Sequence, residues 1–217
     1  MFSLLTYLSM NGIMGVLRIM NVFIKKIIHG RKENMPSPER RKEIEQNVNN
    51  IISSYGLGMP GFDLTKFLIK QYDFRIGVQN FDKNTTGVLL VDDDNFIPGT
   101  NTHKFISVNK DLGVDDSYVY NLKKRFIIAH EFAHYELHKE NHVQFAHRDT
   151  DKKDTPQERE ADYFARCLLM PENLVSGVLN VDGIKEQSLC DKANIISRLF
   201  AVTTNKAKIR IDELGLA

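Results

Sequence analysis

Two histidines one helical turn apart, with a glutamate beside the first, form the run His130-Glu131-Phe132-Ala133-His134. On a helix, side chains four residues apart lie about forty degrees apart around the axis, one turn above the other. Their imidazole nitrogens can converge on one ion. Glu131 points to the side of that pair, where it can reach a water held by the ion without having to bind the ion itself. This is the mechanical content of the spacing His-Glu-x-x-His, and it points to Zn2+ and to hydrolysis. His130 and His134 also fall on or beside the apolar stripe of an amphipathic helix. Imidazoles on a buried face need partners, because unpaired polar groups there are costly, and a metal supplies one.

A catalytic zinc takes three protein ligands and keeps one position open. One solution is a third histidine six residues after the second, with a glycine between, but Glu140 and Leu137 occupy those positions. His138 stands one turn beyond His134, and three ligands stacked along one helix spread too far for a tetrahedral site. The remaining candidates lie on the next expected helix, in Gln157-Glu158-Arg159-Glu160-Ala161-Asp162-Tyr163-Phe164-Ala165. Its apolar stripe is Ala161, Phe164, Ala165, Leu168 and Leu169. At roughly one hundred degrees per residue, Glu158 lies nearer the centre of that stripe than Glu160. Thr155-Pro156-Gln157-Glu158 also reads as a capping box in which Glu158 folds back on Thr155. In that case Glu160 is the substitute ligand. Asp162, one turn after Glu158, can accept the N–H of a ligating histidine.

Taken together, the His-Glu-x-x-His run, a polar gap, Glu158-x-x-Ala161-Asp162-x-Phe164-Ala165 and Leu168-Leu169-Met170-Pro171 resemble the ImmA/IrrE family of metallopeptidases. The resemblance runs from about Pro38 to the C-terminus. It implies an α+β, zincin-like core of the gluzincin type, with zinc on His130, His134 and Glu158 and with Glu131 as general base. It further implies an endopeptidase that cleaves a helix-turn-helix repressor of the Xre type, in a prophage, another mobile element or a stress response. Asp162 stands where the family often has asparagine, a change compatible with the same supporting role.

The elements that must position these residues can be read from periodicity. Ser37 is expected to cap a helix with Pro38 at its first position, Ile44, Val48, Ile51, Ile52 and Tyr55 inward, and Gly56 at its end. A second helix starts at Asp63, with Leu64, Phe67, Leu68 and Tyr72 inward. Residues 74–80, 86–92 and 104–109 read as a small, mostly antiparallel three-stranded sheet. Segment 86–109 is then the place where an extended peptide could add to a sheet edge. Ser117 is expected to cap the long helix, with Val119, Leu122, Phe126, Ala133 and Leu137 on its buried side. Residues 139–155 read as a polar loop, and a helix follows from near Pro156 to before Pro171. Residues 172–217 complete the domain with helices. Within them, 193–214 reads as helix, turn, helix, either a packing element or a DNA-binding motif carrying Lys206, Lys208 and Arg210. Tyr163, His142 and His147 are possible donors to an oxyanion, though ordinary surface is the simpler reading of each.

The chain divides into a segment 1–35 and a domain 36–217. Residues 2–24 are mostly apolar but contain Asn11, Arg18 and Asn21. Asn11, Arg18 and Lys25 recur on one side of a helix, so residues 2–28 read as amphipathic. Several readings stand side by side: association with a membrane surface, docking on a partner, a membrane anchor, a disordered tail, or a start site placed ahead of Met35. A net charge of +1 gives no electrostatic drive toward nucleic acid, so direct binding to it is not expected. Two cysteines, Cys167 and Cys190, make no disulfide framework and suit a cytoplasmic setting. Two further functions fit the same residues, a zinc-bearing module that binds a protein without cutting it and a helix-turn-helix DNA-binding regulator.

Overall fold

The computed structural model describes residues 35–138 and 155–217. Helix α1 (Pro38–Tyr55) starts where Ser37 accepts a hydrogen bond from the Arg40 N–H, and it ends at Gly56, whose φ of 65° suits glycine. Helix α2 (Leu64–Tyr72) is capped by Asp63. Ile44, Val48, Ile51, Leu64, Phe67 and Leu68 are buried as their spacing predicts. Tyr55 is not inward: it is 41% exposed, with its ring edge against Phe67.

Strands β1 (Arg75–Gln79), β2 (Gly87–Val91) and β3 (Lys104–Asn109) form one sheet in the order β1-β3-β2. β2 runs antiparallel to β3, whereas β1 runs parallel to it. β3 takes the middle because Phe105 to Asn109 is buried throughout, while β1 is largely exposed. Asn109 also shapes the turn leading into β2. Its Nδ2 donates to the carbonyls of Asp82 and Thr85, and its Oδ1 accepts from the Phe81 N–H.

Helix α3 (Ser117–Leu137) is the hub. Its cap is Asp116 rather than the expected Ser117: the Asp116 carboxylate accepts from the Val119 N–H, and Ser117 becomes the first helical residue. Every residue from Phe126 to Ala133 is buried, so more than two turns are enclosed on all sides, and Val119 and Leu137 are only half-buried. Helix α4 (Pro156–Leu169) packs against α3, with Ala161, Phe164, Ala165, Leu168 and Leu169 buried. Helices α5 (Glu172–Leu179), α6 (Leu189–Phe200) and α7 (Thr204–Glu213) complete the domain.

α7 is fastened to α4. Arg166 donates from Nε to Glu213 at 2.8 Å, and the buried Arg210 donates to the Met170 carbonyl at 3.1 Å. Lys206 is bonded to Asp162. Two of the three basic residues in the α7 sequence are therefore turned into the domain, which favours the packing reading of this helical pair. Among the described residues, no helix is long and apolar enough to cross a membrane. The expectations for residues 2–28, most of the 139–155 loop, His142 and His147 lie outside the described residues.

Cys167 is buried and Cys190 exposed, and burial pushes the Cys167 thiol up to about 11. An aromatic disulfide reagent is expected to modify Cys190 promptly in the native protein and Cys167 only after unfolding. Two rapidly reacting thiols in the native protein would contradict the packing of α4.

Candidate metal centre

α3 brings His130 Nε2 and His134 Nε2 to 3.0 Å from each other. α4 brings in Glu158, with Oε2 at 3.2 Å from His130 Nε2 and Oε1 at 3.1 Å from His134 Nε2. Among the described residues these three form the one group able to surround an ion, their donor atoms lying within 4.8 Å of one another. Thr155 caps the helix as expected, and the Glu158 carboxylate is turned to the imidazoles instead of folding back on the cap. Thr155 Oγ1 accepts from the Glu158 backbone N–H at 3.3 Å, while the Glu158 carboxylate reaches the imidazoles. Glu160 does not join the group: it pairs with Arg40 of α1 at 2.8 Å and stands 3.9 Å from His138. His138 ends α3, with Nε2 at 3.4 Å from the Gln157 carbonyl. Burial, and then the nearby His134, push its pKa down.

Asp162 sets the tautomer of His130. Its Oδ1 is 2.9 Å from His130 Nδ1. Burial works to raise the Asp162 pKa, but the bond to His130 and the charges of Lys206 and Arg166 hold it well below its ordinary value. An ionised carboxylate only accepts, so Nδ1 carries the hydrogen, and in the neutral imidazole Nε2 is then the nitrogen with the lone pair. Burial likewise works to raise the Glu158 pKa, and the facing His130 and His134 outweigh it and keep the acid ionised. Imidazole nitrogens and carboxylate oxygens 3.0–3.2 Å apart are held together by shared protons or by a cation among them. Zinc bonds of 2.0–2.1 Å in a tetrahedron set ligand atoms about 3.3 Å apart, so the donor set fits an ion of that size. The His130 side chain is 1% exposed, His134 13% and Glu158 19%, so solvent reaches the group from the His134 and Glu158 side.

Glu131 is buried on α3 beside the start of β2. A Cβ on Gly87 would lie 2.8 Å from Glu131 Oε1 and 2.5 Å from Ile127 Cγ2, so only a glycine lets the strand approach this carboxylate. The sequence reading missed Gly87, although a glycine at the head of an apolar strand is a signal of close approach. β2 is an edge strand. Thr86 accepts from the Asn109 N–H and Asp92 donates to the His103 carbonyl, so the backbone groups of Thr86, Val88, Leu90 and Asp92 face β3. By alternation those of Gly87, Leu89 and Val91 point away from it. Tyr163 is neither surface nor an oxyanion donor: it is buried, and its hydroxyl donates a short bond to Glu45 of α1.

Replacing Gly87 with alanine is expected to lower stability by about 1–3 kcal/mol by overpacking, read as an earlier urea midpoint. An unchanged midpoint would show that β2 does not press against Glu131.

Residues 82–212, more than half of the chain, match the peptidase family M78, described as the IrrE N-terminal-like domain. No curated protein matches the chain. The matched span holds β2, β3, the His-Glu-x-x-His helix, the Glu158 helix and nearly all of α7, and the chain belongs to this metallopeptidase family.

Proposed function

We propose that the chain is a zinc-dependent endopeptidase and that its substrate is a helix-turn-helix repressor of the Xre type. The observation that carries the enzymatic part is the convergence of His130, His134 and Glu158 on one point, with Glu131 on the next residue of the same helix. Zinc held by those three residues would polarise the scissile carbonyl and lower the pKa of bound water toward neutrality. Glu131 takes the proton of the attacking water and delivers it to the leaving amine. Asp162 keeps Nδ1 of His130 protonated and its Nε2 available.

An extended substrate pairs with the outward-facing backbone groups of Gly87, Leu89 and Val91. At the head of β2, a cavity of about 220 Å³ lined by Thr86, Leu112, Phe126, Ile127 and Lys206 among others would take a substrate side chain. The repressor as substrate, a mobile-element or stress-response setting and a cytoplasmic location rest on the resemblance to characterised ImmA/IrrE members. The reading as a non-cleaving binding module leaves Glu131 without a role, so the enzymatic reading is preferred.

Co-expression with a repressor encoded beside the chain, followed by a search for a zinc-dependent fragment, tests the substrate. The Glu131→Gln variant is expected to keep its zinc and to cleave about 10²–10⁴-fold more slowly or not at all. A variant that cleaves as fast as the parent would remove Glu131 from the base role.

A further inference from the structure

We infer that Lys206 of α7 is a positioning residue for the metal centre: it holds Asp162 in the orientation that serves His130, so docking of the C-terminal helical pair and metal binding are linked. The inference rests on reading His130, His134 and Glu158 as metal ligands.

The two oxygens of Asp162 have separate duties. Oδ1 is 2.9 Å from His130 Nδ1, and Oδ2 is 3.1 Å from Lys206 Nζ. A carboxylate held at both oxygens cannot rotate away from the imidazole. Arg166 is another cation near Asp162, but it stands 3.6 Å from Oδ2 while its Nε and Nη2 are each 2.8 Å from Glu213. Lys206 is thus closer to Asp162 than Arg166 is. The ammonium group is itself fixed by a second contact, 3.8 Å above the centroid of Phe126, one turn ahead of His130 on α3. One side chain from α7 therefore touches both helices that carry the candidate ligands.

α7 can bear this duty because its own placement is over-determined. Thr203 caps it, Arg210 bonds the Met170 carbonyl, and Glu213 receives Arg166. If α7 moves away, Asp162 loses a partner and His130 loses its orientation. Linkage requires the converse: an ion that tightens the His130–Asp162 contact also tightens α7. The ammonium has an opposing effect, since its charge disfavours a cation nearby. The inference is that orientation outweighs this repulsion.

The test is zinc affinity, measured by competition with a chromogenic chelator on the full chain. Lys206→Met keeps the length of the stem and removes the charge. It is expected to weaken zinc binding by about 10–100-fold, the usual effect of losing a hydrogen-bonded support behind a ligand. Lys206→Arg is expected to restore most of the affinity. In an Asp162→Asn background, Lys206→Met should add little, because the lysine acts through that carboxylate. Binding by Lys206→Met as tight as the parent's or tighter, or full additivity with Asp162→Asn, overturns the inference. On the parent itself, zinc added to chelator-stripped protein should slow amide exchange in residues 204–213 more than in residues 64–72. Equal slowing of the two segments also overturns it, without any variant having to fold. Zinc binding left unchanged by His134→Ala would instead overturn the ligand reading, and this inference with it.

Discussion

One convergence of donor atoms organises this domain. Two imidazole nitrogens and a carboxylate are pressed to within 3.0–3.2 Å of one another, with Asp162 fixing the hydrogen of His130 on the far side of its ring. Such buried polar atoms need partners, and a cation bound by all three would supply one to each. The arrangement is compatible with a divalent cation among them. Much of the packing around it can be understood as holding that geometry in place.

The enclosure of α3 from Phe126 to Ala133 is the main device. A helix walled on all sides cannot rotate, so the histidine pair keeps its direction. The sheet covers one side and brings Gly87 close enough to Glu131 to exclude any larger residue. α4 covers another side and delivers Glu158 from its first turn, where Thr155 already satisfies the backbone. Asn109 works at longer range: by bonding the carbonyls of Asp82 and Thr85 it fixes the turn that sets where β2 begins.

Much of this was legible in the sequence because it depends on local periodicity. The four-residue spacing of the histidines, the apolar stripe of α4 and the strand limits survive in the structure nearly as read. Helical phase also separates Glu158, which faces the two imidazoles, from Glu160, which is rotated toward Arg40. What was not legible depends on partners distant in the chain. That β3 lies between β1 and β2 goes with its burial along its length, and neither this order nor the parallel pairing of β1 with β3 can be read from alternation. Tyr163 looked like surface because its partner, Glu45, lies far away in sequence. The pairing of Lys206 with Asp162 is hidden for the same reason. The cap of α3 was misplaced by one residue because Asp116 and Ser117 are both good caps, and only backbone geometry chooses between them.

X-ray absorption at the zinc edge, on protein loaded with one equivalent of the metal, tests the central claim most directly. The account predicts a shell of nitrogen and oxygen atoms at about 2.0–2.1 Å, with the outer-shell scattering of two imidazoles and no sulfur. A spectrum with one imidazole or none, or with a sulfur neighbour at about 2.3 Å, would contradict it.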